Sequence, residues 1–235
     1  MSLAIIIPVY NEKENICATL DAIYSKVKSD KKVYIVYDFD EDTTLEALKD
    51  KTSDNLVLFK NKSRGVLNAI KTGLEGTKEE AALVTMADGS DEYDCVDQMF
   101  ERIKNGDGIV VGSRYMKGGR QVGGPFIKGL MSRIAGVSLY YIIGIPTHDI
   151  SNSFRMYSRK VLDSVKIESV GGFEVGMEIT AKAYTLGFKI SEVPTTWHDR
   201  EAGKSNFKLV QWLPHYLKWY LYLLRNSFKR NPKRV

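Results

Sequence analysis

Three oxygen-bearing side chains stand directly after a short apolar run, and their spacing suits the binding of a divalent cation. The run Ala81–Met86 has the length and composition of a buried strand, and Asp88, Ser90 and Asp91 follow it. Side chains two residues apart in extended chain point to one side, and Gly89 permits a turn that brings Asp91 beside the other two. Such ligands suit Mg²⁺ or Mn²⁺ bound together with substrate phosphates. The same segment is also typical of an acidic strand-to-helix turn that caps the next helix.

The elements around this cluster alternate between strand and helix. Apolar runs predict strands, and runs with helical spacing follow each of them; the strands are placed at 3–9, 33–37, 56–59, 81–86 and 108–112. This alternation predicts an α/β fold with a mostly parallel central sheet and helices on both faces. Ligands of such sheets bind beyond the carboxyl ends of the strands. The polar clusters at 10–12, 38–42, 88–91 and 113–114 all fall there.

The second half of the chain is predicted to complete one domain. A glycine-rich stretch with basic residues, 115–125, predicts a mobile loop. A helix over 126–143, a strand over 154–157, a helix over 173–185 and a strand over 189–193 follow. We therefore expect one domain over residues 1–206 and a helical extension over 207–235.

Composition places the protein among soluble globular chains, with 43% hydrophobic and 27% charged residues. Strand-like sequence begins almost at the first residue, so no signal peptide is predicted. Cys17 and Cys95 have no zinc-like spacing, which favours free thiols in a reducing cytoplasm.

The C-terminal extension combines aromatic and basic residues. Eight Lys and Arg and no acidic residue follow Glu201, which leaves residues 1–201 with a net charge of −3. Trp and Tyr favour the lipid–water boundary, and clustered cations favour anionic headgroups. The apolar run is interrupted by Pro214 and Lys218 and is too short to span a bilayer. We expect peripheral attachment at the inner face of the cell membrane; docking of these aromatics onto the domain or onto a second subunit is the alternative. No nucleic-acid motif accompanies the basic residues, so no nucleic acid is expected as partner.

Read in order, the polar clusters resemble family 2 glycosyltransferases, in particular the branch of polyprenyl-phosphate sugar transferases that includes dolichol-phosphate mannosyltransferase. The matching stretches are IPVYNEKEN (7–15), YDFDEDTT (37–44), SRGVLNAIKTG (63–73), TMADGSDEY (85–93), VGSRYMKGG (111–119), DISNSFRMYSRKVL (149–162) and residues 172–209. The resemblance implies a Rossmann-like nucleotide-diphospho-sugar transferase fold of the glycosyltransferase A type. It also implies a GDP- or UDP-sugar donor, a dolichyl or undecaprenyl phosphate acceptor and inversion at the anomeric carbon.

The resemblance assigns roles to individual residues. The nucleotide-binding set is Pro8, Tyr10, Asn11, Glu12, Asp38, Arg64, Gly65, Asn68 and Lys204; Arg64 and Asn68 alternatively form the exposed first turn of a helix. The catalytic set is Asp88, Asp91, Arg114 and Arg200, with Asp88, Ser90 and Asp91 as metal ligands for Mg²⁺ or Mn²⁺. A solvated basic loop is the alternative for Arg200 and Lys204. Tyr37 and Met86 replace the first Asp of two family motifs, which also permits a catalytically impaired nucleotide-binding scaffold.

The acceptor decides whether the enzyme needs a general base. By resemblance, Lys128, Ser132 and Arg133 hold a lipid phosphate, whose oxygen is already anionic and attacks directly. A saccharide hydroxyl, the alternative acceptor, requires a base, for which Asp149, Glu174, Glu178 and His148 are the candidates. A homodimer or a membrane partner subunit is a further expectation.

Overall fold

A seven-stranded sheet lies at the centre of the protein. Its strands are short because the apolar runs that form them are short. The computed structural model describes residues 1–51, 53–199 and 209–227. The strands are β1 Leu3–Pro8, β2 Lys31–Tyr37, β3 Leu56–Lys60, β4 Ala81–Val84, β5 Ile109–Ser113, β6 Arg120–Val122, β7 Arg155–Ser158, β8 Ile190–Pro194 and β9 Thr196–His198. The helices are α1 Ile16–Lys26, α2 Thr43–Ala47, α3 Val66–Gly76, α4 Val96–Lys104, α5 Phe126–Ile143, α6 Arg159–Ser164, α7 Val175–Leu186 and α8 Leu209–Asn226.

The strand order is β3-β2-β1-β4-β7-β5-β8. Strand β7 is antiparallel to both of its neighbours, β4 and β5, and the other pairs are parallel. The predicted mostly parallel sheet is therefore confirmed. The carboxyl ends of β1, β2, β4 and β5 meet at one edge of the sheet, where the polar clusters of the sequence lie.

Both faces of the sheet are covered, as the alternation of strand and helix predicts. On β1, Ile5 and Ile7 join one apolar cluster with α1 and α4, while Ala4 and Ile6 join another with α3 and α7. All six residues of β1 are buried, which is why this strand is apolar without interruption.

The glycine-rich stretch is more ordered than its composition predicts. Its centre forms β6, which pairs in parallel with β9. A three-residue strand has no recognisable pattern of its own, and its partner lies about 75 residues away in sequence. The prediction of a loop over the whole of 115–125 is therefore wrong at residues 120–122.

Helix α8 packs against the rest of the protein through one side. Trp219 and Leu223 are buried in the cluster that contains α7, and Trp219 Nε1 donates to Ser169 Oγ at 3.1 Å. The opposite side leaves Leu213, Leu217 and Leu221 exposed. Part of the aromatic sequence thus serves for docking, and the rest of the helix presents leucines to its surroundings.

Candidate active site

The loops after β1 and β2 are joined by one buried carboxylate, Asp42, which caps α2. Asp42 Oδ1 accepts from Thr44 N at 2.9 Å and from Asn11 N at 3.0 Å. Glu12 N donates to Thr44 Oγ1 at 2.9 Å, so the backbone of both predicted nucleotide-binding residues is fixed. Sequence reasoning missed Asp42; an Asp directly before Thr-Thr is a helix N-cap signal that could have found it.

Asp38 and Gly65 come together across the ends of β2 and β3. Gly65 N donates to Asp38 Oδ2 at 2.8 Å, and Asn61 Nδ2 donates to Asp38 Oδ1 at 2.7 Å. Gly65 has a φ of 97°, a conformation that glycine adopts at low cost. Asn68 Nδ2 donates to the carbonyl of Arg64, whose side chain is exposed. Asp38 and Gly65 thus form one structural unit; Asn68 lies in the first turn of α3, and Arg64 directly precedes the N-cap Gly65.

An aromatic pair lies at the same edge. Tyr10 is 57% exposed, and its ring meets the ring of Phe39 edge-on, with 5.6 Å between centroids. Pro8 is buried at the end of β1 and directs the chain toward Tyr10. The exposed face of Tyr10 is a suitable surface for a planar nucleobase.

The loop after β4 presents Asp88 and turns Asp91 inward. Asp88 is half-buried and its Oδ1 accepts from Ser90 N at 3.2 Å. Thr85 Oγ1 donates to Asp91 Oδ2 at 2.8 Å, and Asp91 is buried. Burial raises the pKa of Asp91 to about 7, and the charge of Asp88 adds to this, while the Thr85 hydrogen bond and the charge of Arg114 oppose it. Asp88, Asp91 and Arg114 are therefore close enough to interact electrostatically.

These residues fit a cation that is shared with a substrate phosphate. Within residues 1–51, 53–199 and 209–227, no group of three or more His, Cys, Asp or Glu could hold a metal ion alone. Met86, at the first position of the family motif, packs against the apolar core. Asp88 remains as a half-buried carboxylate, and Mg²⁺ is commonly bound by one or two carboxylates plus phosphate oxygens.

Strand β9 holds the loop after β4 in place through hydrogen bonds of His198 to Ser90 and Glu92. His198 N donates to the carbonyl of Ser90 at 2.9 Å, and His198 Nε2 pairs with Glu92 Oε1 at 2.9 Å. The chain then continues past Asp199 into residues 200–208. The predictions for Arg200 and Lys204 lie in this segment, outside the described residues.

Arg114, directly after β5, is bound by Asp149 rather than open on all sides. Arg114 Nε donates to Asp149 Oδ2 at 2.7 Å and Nη2 donates to Oδ1 at 2.9 Å. Burial lowers the pKa of Arg114, but the charge and hydrogen bonds of Asp149 outweigh this and hold the pKa above its usual range. No hydrogen bond joins Nη1 to a residue that the structure describes.

Helix α5 brings one of the predicted acceptor residues to Arg114. Arg114 Nη2 also donates to Ser132 Oγ at 3.0 Å, and Ser132 contacts Ser151. Gly136, one turn on, packs directly on the backbone of residues 148–149, where a Cβ would lie 2.0 Å from the His148 carbonyl oxygen. Lys128 lies one turn before Ser132 on the same side of the helix and is half-buried. Arg133, the next residue on α5, is exposed.

The four candidate general bases are each engaged by other groups. The Asp149 carboxylate accepts from Arg114, including its backbone N at 3.1 Å. Burial opposes ionisation of Asp149, but the charge of Arg114 and its hydrogen bonds outweigh this, so the pKa of Asp149 lies below its usual value. His148 Nδ1 lies 2.6 Å from Glu192 Oε1, and its ring stacks on Tyr140.

The two glutamates hold a loop instead of facing a substrate. Glu174 accepts from the backbone N of Gly171 and Gly172 at 3.0 and 2.6 Å, and it is 1% exposed. Glu178 accepts from the backbone N of residues 168 and 169 at 2.6 and 2.8 Å and is fully buried. Their geometry is that of structural carboxylates beneath the loop that precedes α7.

The fold and these strand-end loops define a nucleotide-diphospho-sugar transferase of the glycosyltransferase A type. The chain belongs to glycosyl transferase family 2, which residues 4–166 match. It is thus an enzyme of the class that its sequence motifs predict, and the prediction of the family is confirmed.

Several known proteins are similar to this chain over most of its length. Dolichol-phosphate mannosyltransferase of Pyrococcus furiosus is 29% identical over 93% of this chain, which spans 64% of that protein's length. Undecaprenyl-phosphate mannosyltransferase of Micrococcus luteus is 32% identical over 87% of each chain. Among solved structures, glucosyl-3-phosphoglycerate synthase of Mycobacterium tuberculosis, in complex with Mn²⁺, UDP-glucose and phosphoglyceric acid, superposes with a TM-score of 0.68 at 14% identity. That match covers 98% of this chain and 81% of the other, and it supports the fold.

Proposed function

We propose that this enzyme transfers a sugar from a GDP- or UDP-sugar to a polyprenyl phosphate, dolichyl or undecaprenyl, with inversion at the anomeric carbon. Two relatives at 29% and 32% identity bear the names of polyprenyl-phosphate mannosyltransferases, which supports this acceptor class. The proposal extends the shown family membership to a substrate class.

The observation that carries the acceptor is the engagement of the three buried carboxylates among the candidate bases. A sugar hydroxyl must lose a proton as it attacks, which requires a positioned base. Asp149 has a lowered pKa and binds Arg114, while Glu174 and Glu178 hold backbone N–H groups. A phosphate monoester is already anionic near neutral pH and needs no such base. The geometry therefore favours a phosphate acceptor over a saccharide hydroxyl.

The acceptor phosphate fits best between Arg114 and α5. Arg114 offers Nη1, and Lys128 and Ser132 lie on the side of α5 that faces it. Guanidinium groups suit phosphate oxygens because their donors form a planar fork. We assign Arg114, Lys128 and Ser132 to the acceptor phosphate, and Arg133 to the lipid headgroups beside it.

The donor nucleotide fits across the ends of β1 and β2. The face of Tyr10 is available to the base, and the backbone around Asn11 and Gly65 is held rigid by Asp42 and Asp38. Asp88 and the Ser90 region would hold Mg²⁺ or Mn²⁺ against the diphosphate. When bound, such a cation neutralises charge on the leaving group; proteins of this fold have been crystallised with Mn²⁺ or Mg²⁺ and UDP.

The reaction is a single displacement. A phosphate oxygen of the acceptor forms a bond to the anomeric carbon as the bond from that carbon to the diphosphate breaks. The bonding electrons leave with the nucleoside diphosphate, so no proton has to move in this step. Arg114 orients the attacking phosphate, and its own orientation is fixed by Asp149.

A lipid acceptor requires contact with a membrane, and α5 is the better candidate for that contact. Among the described residues, α5 alone has the length and apolar composition of a helix able to cross a bilayer, and 11% of it is buried. Its exposed apolar side chains are Phe126, Ile127, Leu130, Ile134, Tyr141 and Ile142. We propose that α5 lies in the cytoplasmic membrane surface, with the leucines of α8 beside it. Of the basic C-terminal residues expected to assist, Lys218 and Arg225 lie on α8, and the others lie outside the described part of the chain.

A matched acceptor assay tests the proposal. Purified enzyme is incubated with a panel of GDP- and UDP-sugars, Mg²⁺ or Mn²⁺, and either undecaprenyl phosphate or glycan acceptors, with products read by mass spectrometry. We expect a polyprenyl phosphate sugar whose anomeric configuration is opposite to that of the donor. Product with glycans alone would overturn the acceptor class, and tight nucleotide binding without any turnover would support the impaired scaffold.

A further inference from the structure

Arg155 is a cation buried in the middle of the sheet. It lies on β7 between β4 and β5, and its exposed fraction is zero. Nη1 donates to Gly176 O at 2.6 Å and to Thr180 Oγ1 at 2.5 Å, and Nη2 donates to Asp149 O at 3.1 Å. Nε has no partner among the described residues. All of these acceptors are uncharged oxygens, so no carboxylate hydrogen-bonds to this guanidinium within the described part of the chain.

Such a placement is costly for a residue that serves packing alone. A charge moved from water into a protein interior loses its hydration, and neutral acceptors return only part of that loss. Burial accordingly lowers the pKa of Arg155. A methionine or leucine of similar volume fills the same space at lower cost. A strictly structural account therefore leaves the charge itself unexplained.

The charge has a specific neighbour. Asp149 lies between two arginines, since Arg114 binds its carboxylate and Arg155 binds its backbone carbonyl. Asp149 neutralises Arg114, and Arg155 leaves the group of three with a net charge of +1. Charges inside a protein interact more strongly than charges in water, so this excess acts on a ligand that contacts Arg114.

We propose that Arg155 is a positioning residue with two roles. It fixes the backbone of Asp149, and it supplies the positive charge that Arg114 loses by pairing with the Asp149 carboxylate. The group formed by Arg114, Asp149 and Arg155 then keeps a net positive charge toward bound phosphates, even though Arg114 is paired with Asp149. This inference rests on the proposed function in one respect, namely that the ligand of Arg114 is a phosphate.

Arg155 also connects the Arg114–Asp149 pair to α7 by its hydrogen bonds to Gly176 and Thr180. Thr180 Oγ1 itself donates to Gly176 O at 2.8 Å, so Arg155 closes a small network on the first turns of that helix. The ionisable groups that face the Arg114–Asp149 pair come from several elements; they are Tyr115 after β5, Arg155 on β7, Asp91 after β4 and Tyr216 on α8. Among these, Arg155 is the cation.

The inference is tested with Arg155→Met, which keeps volume and removes charge, and with Arg155→Lys, which keeps charge. We expect Arg155→Met to fold, to bind inorganic phosphate and pyrophosphate, used as probes of the Arg114 site, about tenfold more weakly by calorimetry, and to lose turnover to a similar degree. Removing the cation also raises the pKa of Asp149, so the acid limb of the kcat/KM profile moves to higher pH. Arg155→Lys is expected to restore most of that shift.

A nearby arginine supplies the control. Arg159 on α6 donates to Glu79 O at 3.1 Å, Leu74 O at 3.2 Å and Thr77 Oγ1 at 3.2 Å, in contacts that do not include Arg114 or Asp149. Arg159→Met is expected to lower stability and to leave the pH profile and pyrophosphate affinity unchanged.

The outcomes separate this inference from the proposed function. If the wild type transfers sugar only to glycans, the acceptor proposal fails. The pyrophosphate affinity and the pH profile of the variants still test the proposed role of Arg155. If Arg155→Met does not fold, Arg155→Gln removes the charge and keeps amide donors for the same oxygens, and the same shifts are expected. A folded charge-free variant with wild-type affinity and pH profile overturns the inference, and so does failure of both charge-free variants to fold, because the role of Arg155 is then structural.

Discussion

Asp149 binds the guanidinium group of Arg114 through both carboxylate oxygens, with Nε–Oδ2 and Nη2–Oδ1 distances of 2.7 and 2.9 Å. Asp149 is fully buried and the Arg114 side chain is 11% exposed, so most of the pair is shielded from water. This ion pair and the lowered pKa of Asp149 support our proposal that Asp149 positions Arg114. The ion pair also links β5, β7 and α5 at one point of the site.

Replacing Asp149 by Asn should destabilise the protein by about 3 kcal/mol at neutral pH, because a buried arginine loses its counter-charge. The folded-state pKa of Asp149 lies below its unfolded value, so this stabilisation is present above pH ~4 and is lost as the pH falls further. Urea unfolding of both proteins at pH 7, 5 and 3.5 measures the difference. It should shrink at the lowest pH, whereas a difference that stays constant would contradict the assignment. The exposed Asp163→Asn serves as control and should change stability by less than ~0.5 kcal/mol.

Asp88→Asn should remove metal-dependent nucleotide binding while the fold stays intact. Asp88 is half-buried at a strand end and is the carboxylate we assign to Mg²⁺ or Mn²⁺. We expect the affinity for GDP or UDP to become insensitive to the metal and turnover to fall about 100-fold or more. The control is Asp94→Asn, an exposed carboxylate that pairs with Lys26 at 2.8 Å, whose loss should cost less than ~1 kcal/mol and no activity. Calorimetry with and without Mn²⁺ decides, and unchanged turnover of Asp88→Asn would remove Asp88 from the mechanism.

Gly65→Ala should weaken nucleotide binding through the backbone. Gly65 has a φ of 97° and a ψ of 156°, a region almost exclusive to glycine, and open space around a built Cβ, so alanine costs conformational strain of about 1–3 kcal/mol without a clash. Any relaxation moves the N–H that Gly65 donates to Asp38. Gly106→Ala is matched to it, with a φ of 92° and equally open space, at a turn between α4 and β5. Both variants should lose similar stability in urea, and Gly65→Ala alone should lose affinity for GDP or UDP. Equal affinities in the two variants would show that the Asp38–Gly65 unit does not contact the nucleotide.

Ile134→Asp should release the enzyme from membranes. Ile134 is 58% exposed on α5, and withdrawing an isoleucine from lipid costs about 1.5–3 kcal/mol, or roughly tenfold or more in binding. Leu58→Asp on the edge strand β3 is the control, since Leu58 is 49% exposed and lies on another element. Flotation with vesicles of zwitterionic and anionic lipids, at low and high salt, measures both. If Ile134→Asp binds like wild type, α5 is not the membrane surface of the enzyme.

The sequence predicted which strand-end loops carry polar residues better than it predicted the contacts within those loops. The positions of Asp88, Arg114 and Ser132 follow from motifs that have fixed places at strand ends. Their partners do not follow, because Asp149 is 35 residues from Arg114 and no local pattern connects the two. The sequence therefore offers Asp149 as a candidate base, and only the structure shows that it is buried beside Arg114.

The choice of α5 as the proposed membrane-binding helix also depended on the tertiary structure. Aromatic and basic residues drew attention to the C-terminal helix, where Trp219 proves to be a core residue. Helix α5 reads as an ordinary apolar helix, since composition does not tell which apolar helices a fold covers. Only the packing of Gly136 on residues 148–149 shows that α5 touches the site with one side and leaves the other uncovered.

The amino-acid sequence by itself determined the alternation of strands and helices, the family, and which loops carry polar groups, because periodicity and strand-end motifs are local properties. The tertiary structure decided which carboxylates remain available, where the buried cation Arg155 lies and which apolar helix stays exposed. These depend on burial and on contacts between residues far apart in sequence, and both arise only when the sheet has assembled.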